Sequence, residues 1–309
     1  MKSGMDLISI HDLSAGDVEE ILALAADLKV RQKAGIPHPL LAGKTLGMIF
    51  EKSSTRTRVS FEVGMYQLGG RALFLSSRDL QLGRGEPIAD TARVLSRYLD
   101  GIMIRTYGHE RIEELARWAD VPVINALSDL LHPCQALTDL LTIREHKGRL
   151  AGLKMAYVGD GNNMTHSLMY AAAKVGMHFA AATPAGYEPN EKVVQNARAD
   201  ASETGASVTL THDPKEAVRD ADVVVTDTWA SMGQEEEHDA RTAVFRPYQV
   251  NPELLAAADA RAVVMHCLPA YRGEEITEDV FESFANVIFD EAENRLHVQK
   301  AIMALVMGG

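Results

Sequence analysis

The segment from Lys52 to Arg58 brings hydroxyl and guanidinium side chains together in the order Lys-Ser-Ser-Thr-Arg-Thr-Arg. The apolar run Thr45–Glu51 predicts a strand before this segment, and the spacing of Val59, Val63 and Tyr66 predicts a helix after it. The first N–H groups of a helix lack partners within it, and the helix dipole adds about half a positive charge, so a strand-to-helix turn attracts phosphate. Two arginines in one turn repel each other, which favours a bound anion over an ordinary Ser-Thr cap with solvated charges.

More polar residues lie where other predicted strands of the first half end. Arg105 closes an apolar run, and His132 and Gln135 lie at a strand-to-helix turn. In parallel α/β sheets, ligands bind beyond the carboxyl ends of the strands. A lone arginine there is usually solvated and a lone histidine is usually structural, so these residues alone predict no reaction. Cys134 is expected to be a small packed residue, because two candidate ligands without a second closely spaced pair make a weak zinc site.

A glycine-rich turn, Gly159–Asn163, follows the predicted strand Met155–Val158 and invites comparison with dinucleotide sites. The dinucleotide fingerprint needs glycine or alanine at position 164, where this chain has Met164, and an acidic residue closing the next strand, which ends at Thr183. A nicotinamide-dependent dehydrogenase is therefore disfavoured. Asp227 follows another apolar run, a place where a carboxylate is often only a solvated strand end or a helix cap.

Short apolar runs alternate with longer segments of helical spacing, which predicts βα units and mainly parallel sheets. The expected fold class is α/β with two domains, residues 1–148 and 149–309, each a mainly parallel sheet flanked by helices. A helical segment at about 294–307 is expected to return to the first domain. The predicted strands are Thr45–Glu51, Ala72–Ser76, Gly101–Thr106, Pro122–Ala126, Met155–Val158, Phe179–Thr183, Ser207–Thr211, Asp222–Thr226, Ala262–Met265 and Val287–Phe289.

Composition excludes several classes of protein. The 309 residues are 46% hydrophobic, yet no apolar run approaches the roughly 20 residues that span a bilayer, so no membrane partner is expected. A formal net charge of -12 disfavours a nucleic-acid partner. Cys134 and Cys267 lie in separate halves of the chain, which is typical of reduced thiols and indicates a cytoplasmic protein.

Three groups of motifs follow one another along the chain: Phe50–Arg58 with Ser60–Glu62, then His132–Gln135, then Asp227 with Ser231–Gly233 and His266–Pro269. The first resembles the phosphate-binding segment of the aspartate and ornithine carbamoyltransferases, and the second resembles their carbamoyl-recognition segment. The third group is similar to segments particular to the ornithine branch. The resemblance implies transfer of a carbamoyl group from carbamoyl phosphate to the side-chain amine of ornithine, giving citrulline in arginine metabolism without a cofactor or a metal.

The resemblance also implies which residues form the site. Carbamoyl phosphate is expected to contact Ser54, Thr55, Arg56, Thr57, Arg58, Gln81, Arg105, His132, Gln135, Cys267, Leu268 and Arg295. Ornithine is expected to contact Asn163, Asp227, Ser231 and Met232, and the expected catalytic residues are Arg105, His132, Asp227 and Cys267. Gln81 lies in a glycine-rich loop that reaches the neighbouring subunit's site in the family, which implies a homotrimer or a multiple of trimers.

By similarity, Arg105 and His132 donate to the carbamoyl carbonyl oxygen, where negative charge grows during attack, and Gln135 accepts from the carbamoyl NH₂ group. Arg295 matches a family arginine near the same carbonyl, and the Leu268 carbonyl binds the carbamoyl NH₂ group. We expect the donor to dock on the first domain and ornithine on the second, after which the domains close.

The attacking amine presents a protonation problem. An alkylamine with a pKa near 10.4 is about one part in a few thousand neutral at pH 7, which costs roughly 4 to 5 kcal/mol. Asp227 with Cys267 is expected to orient the amine and accept its proton. A nucleophilic Cys267 with His266 as its base is disfavoured, because adjacent strand residues point to opposite faces.

The nearest alternative is the same chemistry on putrescine, acetylornithine or aspartate. Aspartate would require additional cationic residues in the second domain, whereas the loop after Ser231 continues into Gln234–Glu237. A catalytically silent interaction protein is disfavoured because each site position of the family has a match in this chain.

Overall fold

The computed structural model describes residues 1–78, 80, 85–230 and 238–308. Its chain divides into two units, Met1–Leu141 with Glu293–Gly309 and Thr142–Ala292. The division at 141 falls inside a helix that ends at Lys147, and the predicted domain boundary at residue 148 stays a prediction.

The first unit contains a parallel sheet with the strand order β2-β1-β3-β4. Its core packs apolar side chains such as Ile49, Ile102 and Val123 with Ile112 from a flanking helix. The elements are α1 (Ala15–Lys33), β1 (Thr45–Phe50), α2 (Thr55–Gln67), β2 (Arg71–Ser76), α3 (Ile88–Leu95), β3 (Gly101–Arg105), α4 (His109–Trp118), β4 (Val123–Leu127) and α5 (Pro133–Lys147).

The second unit contains a second parallel sheet with the order β7-β6-β5-β8-β9. In each sheet the strand that comes first in sequence, β1 or β5, lies inside the sheet, and the chain adds later strands on both of its sides. A crevice forms at such a reversal of strand order, outside the carboxyl ends of the strands, here between β1 and β3 and between β5 and β8. The elements are β5 (Lys154–Val158), α6 (Asn163–Lys174), β6 (His178–Ala182), α7 (Glu191–Thr204), β7 (Val208–Thr211), α8 (Pro214–Val218), β8 (Val223–Thr226), α9 (His238–Phe245), α10 (Pro252–Leu255), β9 (Val263–His266), α11 (Glu278–Ser283) and α12 (Ala285–Met307). Residues of α12 from Glu293 onward belong to the first unit.

The expected α/β class with two parallel sheets is confirmed, and each predicted strand but the last matches an observed strand whose ends differ by no more than one residue. The prediction of a strand at Val287–Phe289 is wrong, because these residues lie in the first turn of α12. Val287 and Ile288 are buried while Phe289 is exposed, a pattern that one face of a helix satisfies. Helix α12 is therefore longer than the predicted segment 294–307.

Helix α12 packs against α1 and α2, which confirms that the C-terminal helix returns to the first unit. Lys29 Nζ of α1 donates to Asn294 Oδ1 at 2.8 Å, and Lys300 Nζ donates to Gln67 Oε1 at 2.9 Å. A Cβ at Gly64 of α2 would lie 2.9 Å from Met303 Cε, so the missing side chain permits a close approach of the two helices. Among the residues that the structure describes, no helix is both long enough and apolar enough to cross a membrane.

Candidate functional site

The turn after β1 forms the N-terminus of α2. Ser54 is the N-cap, with extended backbone angles, and its Oγ accepts a hydrogen bond from the Thr57 N–H at 3.2 Å. The same hydroxyl donates to Thr57 Oγ1 at 3.1 Å. The positive end of the α2 dipole therefore points beyond the carboxyl edge of the first sheet, as the phosphate prediction requires.

Arg295 links this turn to α5. Arg295 is 3% exposed, and its Nη2 donates to Thr57 Oγ1 at 3.1 Å while its Nη1 donates to Gln135 Oε1 at 2.7 Å. The sequence placed Arg295 at the start of the last helix, but it lies in the interior of α12, since that helix begins at Ala285. An interior helical position fixes the arginine more firmly than a frayed end.

Arg105 is the last residue of β3, and its side chain is buried. The pairing of β3 with β4 shifts register between Ile104 and Arg105, and the Arg105 carbonyl accepts from the Glu51 N–H at 2.9 Å. A bulge of this kind re-aims the following side chain, and the backbone bond to Glu51 fixes the end of the strand. Arg105 is thus held at the crevice between β1 and β3.

His132 immediately precedes α5, and its side chain is buried. Burial lowers the pKa of His132 well below its usual value, and the positive charges of Arg295, Arg105 and Arg56 lower it further. The imidazole is therefore neutral at physiological pH. A neutral imidazole among three guanidinium groups can donate one hydrogen bond without adding a fourth positive charge.

Arg58 and Thr55 lie on the exposed side of the same turn. The Arg58 guanidinium lies 3.8 Å from the centroid of the Phe74 ring, and its Nε lies 3.5 Å from Glu62 Oε2. Both residues line a cleft of about 500 Å³ together with Ser53 and Ser54. Their contact with phosphate stays a prediction.

Asp227 is the centre of a second cluster, in the second unit, directly after β8. It is 8% exposed. Its Oδ1 accepts from the Cys267 thiol at 3.2 Å and from the Thr228 N–H at 2.8 Å, and its Oδ2 accepts from Asn162 Nδ2 at 3.4 Å. The predicted Asp227–Cys267 pair is therefore in direct contact, at the carboxyl ends of β8 and β9.

Asn162 is a site residue that the sequence did not identify. Its Oδ1 accepts from the Met164 and Thr165 N–H groups, so it is the N-cap of α6 as well as a partner of Asp227. The sequence did contain an indication of the capping role, because asparagine directly before a helical segment is a preferred N-cap residue. Asn163, the predicted ornithine contact, is the first residue of α6 and is half-buried beside it.

Cys267 and Leu268 follow β9 in a turn with unusual backbone geometry. Leu268 has a φ of 61°, a conformation that costs of order 1–3 kcal/mol for a residue with a side chain. The Leu268 N–H donates to His266 Nδ1 at 2.9 Å, and His266 Nε2 lies 3.0 Å from the buried Glu275 carboxylate. His266 is thereby occupied on both nitrogens, which agrees with the argument against its acting as a base for Cys267.

The cluster could also be considered as a metal site, because Asp227, His266 and Cys267 each offer a ligand atom within 4.8 Å of the others. Nδ1 of His266 accepts the Leu268 N–H, and Nε2, which faces the accepting Glu275 carboxylate at 3.0 Å, is the donor of the ring. Neither nitrogen has a lone pair left for a metal. The donor set does not fit a metal ion.

Arg241 connects the two turns that carry Asn162 and Asp227. Its Nε donates to the Trp229 carbonyl at 2.5 Å, and its Nη2 forms an ion pair with Asp160. Burial raises the pKa of Asp160 to about 6 although Arg241 opposes the rise. Gln81, Ser231 and Met232, which were also predicted to be site residues, lie outside the described residues.

Comparison with known proteins identifies the family. A model of the carbamoyl-P binding domain of aspartate/ornithine carbamoyltransferase matches residues 5–145, and a model of the Asp/Orn binding domain matches residues 151–306. The chain belongs to the aspartate/ornithine carbamoyltransferase family. The two models cover the clusters around His132 and Asp227 respectively, and the resemblance inferred from the motifs is confirmed.

Relatives within the aspartate/ornithine carbamoyltransferases are similar over the full length. The chain is 63% identical to an ornithine carbamoyltransferase of Carboxydothermus hydrogenoformans, with 99% of this chain and 98% of that protein covered. It is 59% identical to an anabolic ornithine carbamoyltransferase of Pyrococcus furiosus, again with 99% of this chain and 98% of that protein covered. The solved structure of ornithine carbamoyltransferase from P. furiosus superposes with a TM-score of 0.96 at 59% identity, covering 99% of this chain and 98% of that one.

Proposed function

We propose that this chain transfers the carbamoyl group of carbamoyl phosphate to the side-chain amine of L-ornithine, giving L-citrulline and phosphate in arginine biosynthesis. One observation carries the donor half of the proposal: a neutral, buried His132 lies near the positive charges of Arg56, Arg105 and Arg295, and Arg56 belongs to the first turn of α2. Three cations and a helix dipole suit a phosphate, while a neutral imidazole suits the carbonyl oxygen of a carbamoyl group.

On the donor side, the phosphate lies against the N-terminus of α2 with Arg56, and Arg105 and His132 donate to the carbonyl oxygen. Negative charge grows on this oxygen as the amine attacks, and each well-placed donor stabilises the transition state by a few kcal/mol. The bond between the carbamoyl carbon and the phosphate oxygen then breaks, and phosphate leaves into the turn that bound it. The remaining proposed donor contacts are Ser54, Thr55, Thr57, Arg58, Gln81, Gln135, Cys267, Leu268 and Arg295.

On the acceptor side, the Asp227 carboxylate binds the ornithine amine, and Cys267 holds that carboxylate through its thiol hydrogen bond. The neutral amine forms the new C–N bond and loses one proton, which Asp227 receives and which finally resides on the phosphate. The negative charge of Asp227 favours a cationic acceptor over aspartate. Asn163, Ser231 and Met232 are the remaining proposed ornithine contacts.

We also propose a cytoplasmic homotrimer or a multiple of trimers, in which Gln81 reaches the site of a neighbouring subunit. Val59, Val63 and Tyr66 support an assembly, because they form an exposed apolar stripe along α2. Light scattering tests it: wild type should have at least three times the mass of one chain, and Val63→Glu should reduce that mass. Val244→Glu, an equally exposed position on α9, is the matched control. A monomeric wild type would contradict the assembly.

A citrulline assay tests the function. The purified enzyme is given carbamoyl phosphate with L-ornithine, putrescine, acetylornithine or aspartate in parallel, and each carbamoylated product is quantified. The proposal expects a kcat/KM for ornithine at least a hundredfold above that for the other amines. A preference for another acceptor supports the alternative of the same chemistry on that amine, and no product from any acceptor refutes carbamoyl transfer.

A further inference from the structure

Asp139 lies one helical turn beyond Gln135 on α5, and it is fully buried. Residues four positions apart in a helix lie on the same face, and here Gln135 Nε2 donates to Asp139 Oδ1 at 2.8 Å. The other end of the same amide, Gln135 Oε1, accepts from Arg295 Nη1 at 2.7 Å. The Gln135 side chain is therefore held at both ends.

The chemistry of these partners fixes which way the amide faces. A guanidinium only donates hydrogen bonds, so the amide oxygen must face Arg295 and the NH₂ group faces the accepting oxygen of Asp139. A bond to a charged acceptor also polarises the amide, which makes Gln135 Oε1 a better acceptor. A carbamoyl NH₂ group needs such an acceptor.

Asp139 also places a buried carboxyl group close to a cationic group of residues. It is linked through Gln135 to Arg295, which in turn is linked to Thr57 at the N-terminus of α2. A buried carboxylate is costly unless paired, and a buried guanidinium is costly for the same reason. Through the Gln135 amide, the Asp139 carboxyl and the Arg295 guanidinium each offset part of the free-energy cost of burying the other, although they are not in direct contact.

We propose that Asp139 is a positioning residue for carbamoyl transfer, which holds the Gln135 amide with its oxygen turned toward Arg295 and the carbamoyl NH₂ group. This inference rests on the proposed function, since it assigns Gln135 to the carbamoyl end of the donor. Asp139 acts through Gln135 and touches no substrate. Its loss therefore affects recognition of the carbamoyl group and spares the phosphate contacts.

A double-mutant cycle with two ligands tests this role. Asp139→Ala should lower kcat/KM for carbamoyl phosphate by about 10- to 100-fold, while the Kd of inorganic phosphate and the KM of ornithine change less than threefold. In the Gln135→Ala background, Asp139→Ala should cost less than threefold more, because the residue through which it acts is already gone. Asp139→Asn keeps an acceptor oxygen at the same place and should recover part of the loss.

Controls separate this role from general damage to the fold. Asp200, a buried carboxylate paired with Lys174 at 3.0 Å in the second unit, gives the control Asp200→Asn, which should lower the melting temperature and leave kcat/KM for carbamoyl phosphate unchanged. Equal losses of inorganic phosphate and carbamoyl phosphate binding in Asp139→Ala, or additive effects in the cycle, overturn the proposal. A wild type that makes citrulline beside an unaffected Asp139→Ala refutes this inference alone, whereas an inactive wild type refutes the proposed function.

Discussion

Replacing Arg295 with methionine removes the guanidinium that joins the α2 turn to α5 while keeping an unbranched side chain in α12. The variant loses the bonds to Gln135 Oε1 and Thr57 Oγ1, at 2.7 and 3.1 Å. Hydrogen bonds to a charged group contribute about 1.5–3 kcal/mol each, so the two contribute about 3–6 kcal/mol. The proposed contact of Arg295 with the carbamoyl carbonyl is a bond of the same kind, so at about 1.36 kcal/mol per factor of ten its loss should lower kcat/KM for carbamoyl phosphate by roughly one to two powers of ten.

The same substitution changes a titration. Burial is the largest cause of the low pKa of His132, and Arg295 is the largest of the charges that add to it. Removing that positive charge makes the imidazolium less unfavourable, so the pKa of His132 should rise toward its usual value of about 6.5. The direction is upward because a like charge has been removed.

Two assays check this prediction. Steady-state kinetics gives kcat/KM for carbamoyl phosphate, and an NMR titration of ¹⁵N-labelled histidine gives the His132 pKa in wild type and variant. Arg198→Met, at an exposed position of α7, is the matched control and should change neither quantity. A kcat/KM within threefold of wild type, or a His132 pKa that stays where it was, would refute the reasoning.

Further predictions concern acid stability and the acceptor site. Burial is the main cause that lowers the pKa of His297 to about 4. As pH falls, the unfolded chain therefore protonates this histidine before the folded chain does. Between pH 6.5 and 4, urea unfolding should show that the free energy of unfolding falls by about 3 kcal/mol more in wild type than in His297→Gln. Asp227→Asn should lower kcat about 10²- to 10⁴-fold and leave the Kd of carbamoyl phosphate unchanged. A raised Kd of carbamoyl phosphate would argue against the acceptor-side role of Asp227. In Gly161→Ala, the added Cβ would lie 2.4–2.5 Å from backbone atoms of residues 187–189, which forces the turn before Asn163 to shift. The KM of ornithine should therefore rise, and an unchanged KM would contradict this expectation.

The parallel sheets were predictable because their strands are short, apolar runs bounded by turns. Val287–Phe289 failed for a physical reason: its β-branched and aromatic residues favour a strand locally, but burial of Val287 and Ile288 within α12 overrides that weak preference. Helix α1 was not assigned from the sequence, although Ser14 and Asp17 form a capping box that marks its start. Long-range packing decides the first case, and a local signal was available in the second.

The candidate site was predictable where its residues lie next to strand ends in recognisable motifs. Asp227 and Cys267 are in contact because each directly follows one of two neighbouring parallel strands, and their role with the amine stays a prediction. Asn162 donates to Asp227 from a turn that is distant in sequence. Glu275 lies beside His266 in a segment that carries no motif. Such partners are set by how the turns approach each other, which residue spacing alone does not reveal.

We propose that the N-terminus of α2 holds the phosphate of the donor with Arg56 beside it. Calorimetric titration of carbamoyl phosphate, without ornithine, into wild type and Arg56→Ala measures this directly. Two charge-assisted bonds from one guanidinium contribute about 3 kcal/mol or more, so the variant should bind at least a hundredfold more weakly. Equal dissociation constants for the two proteins, or no binding by wild type, would contradict the account.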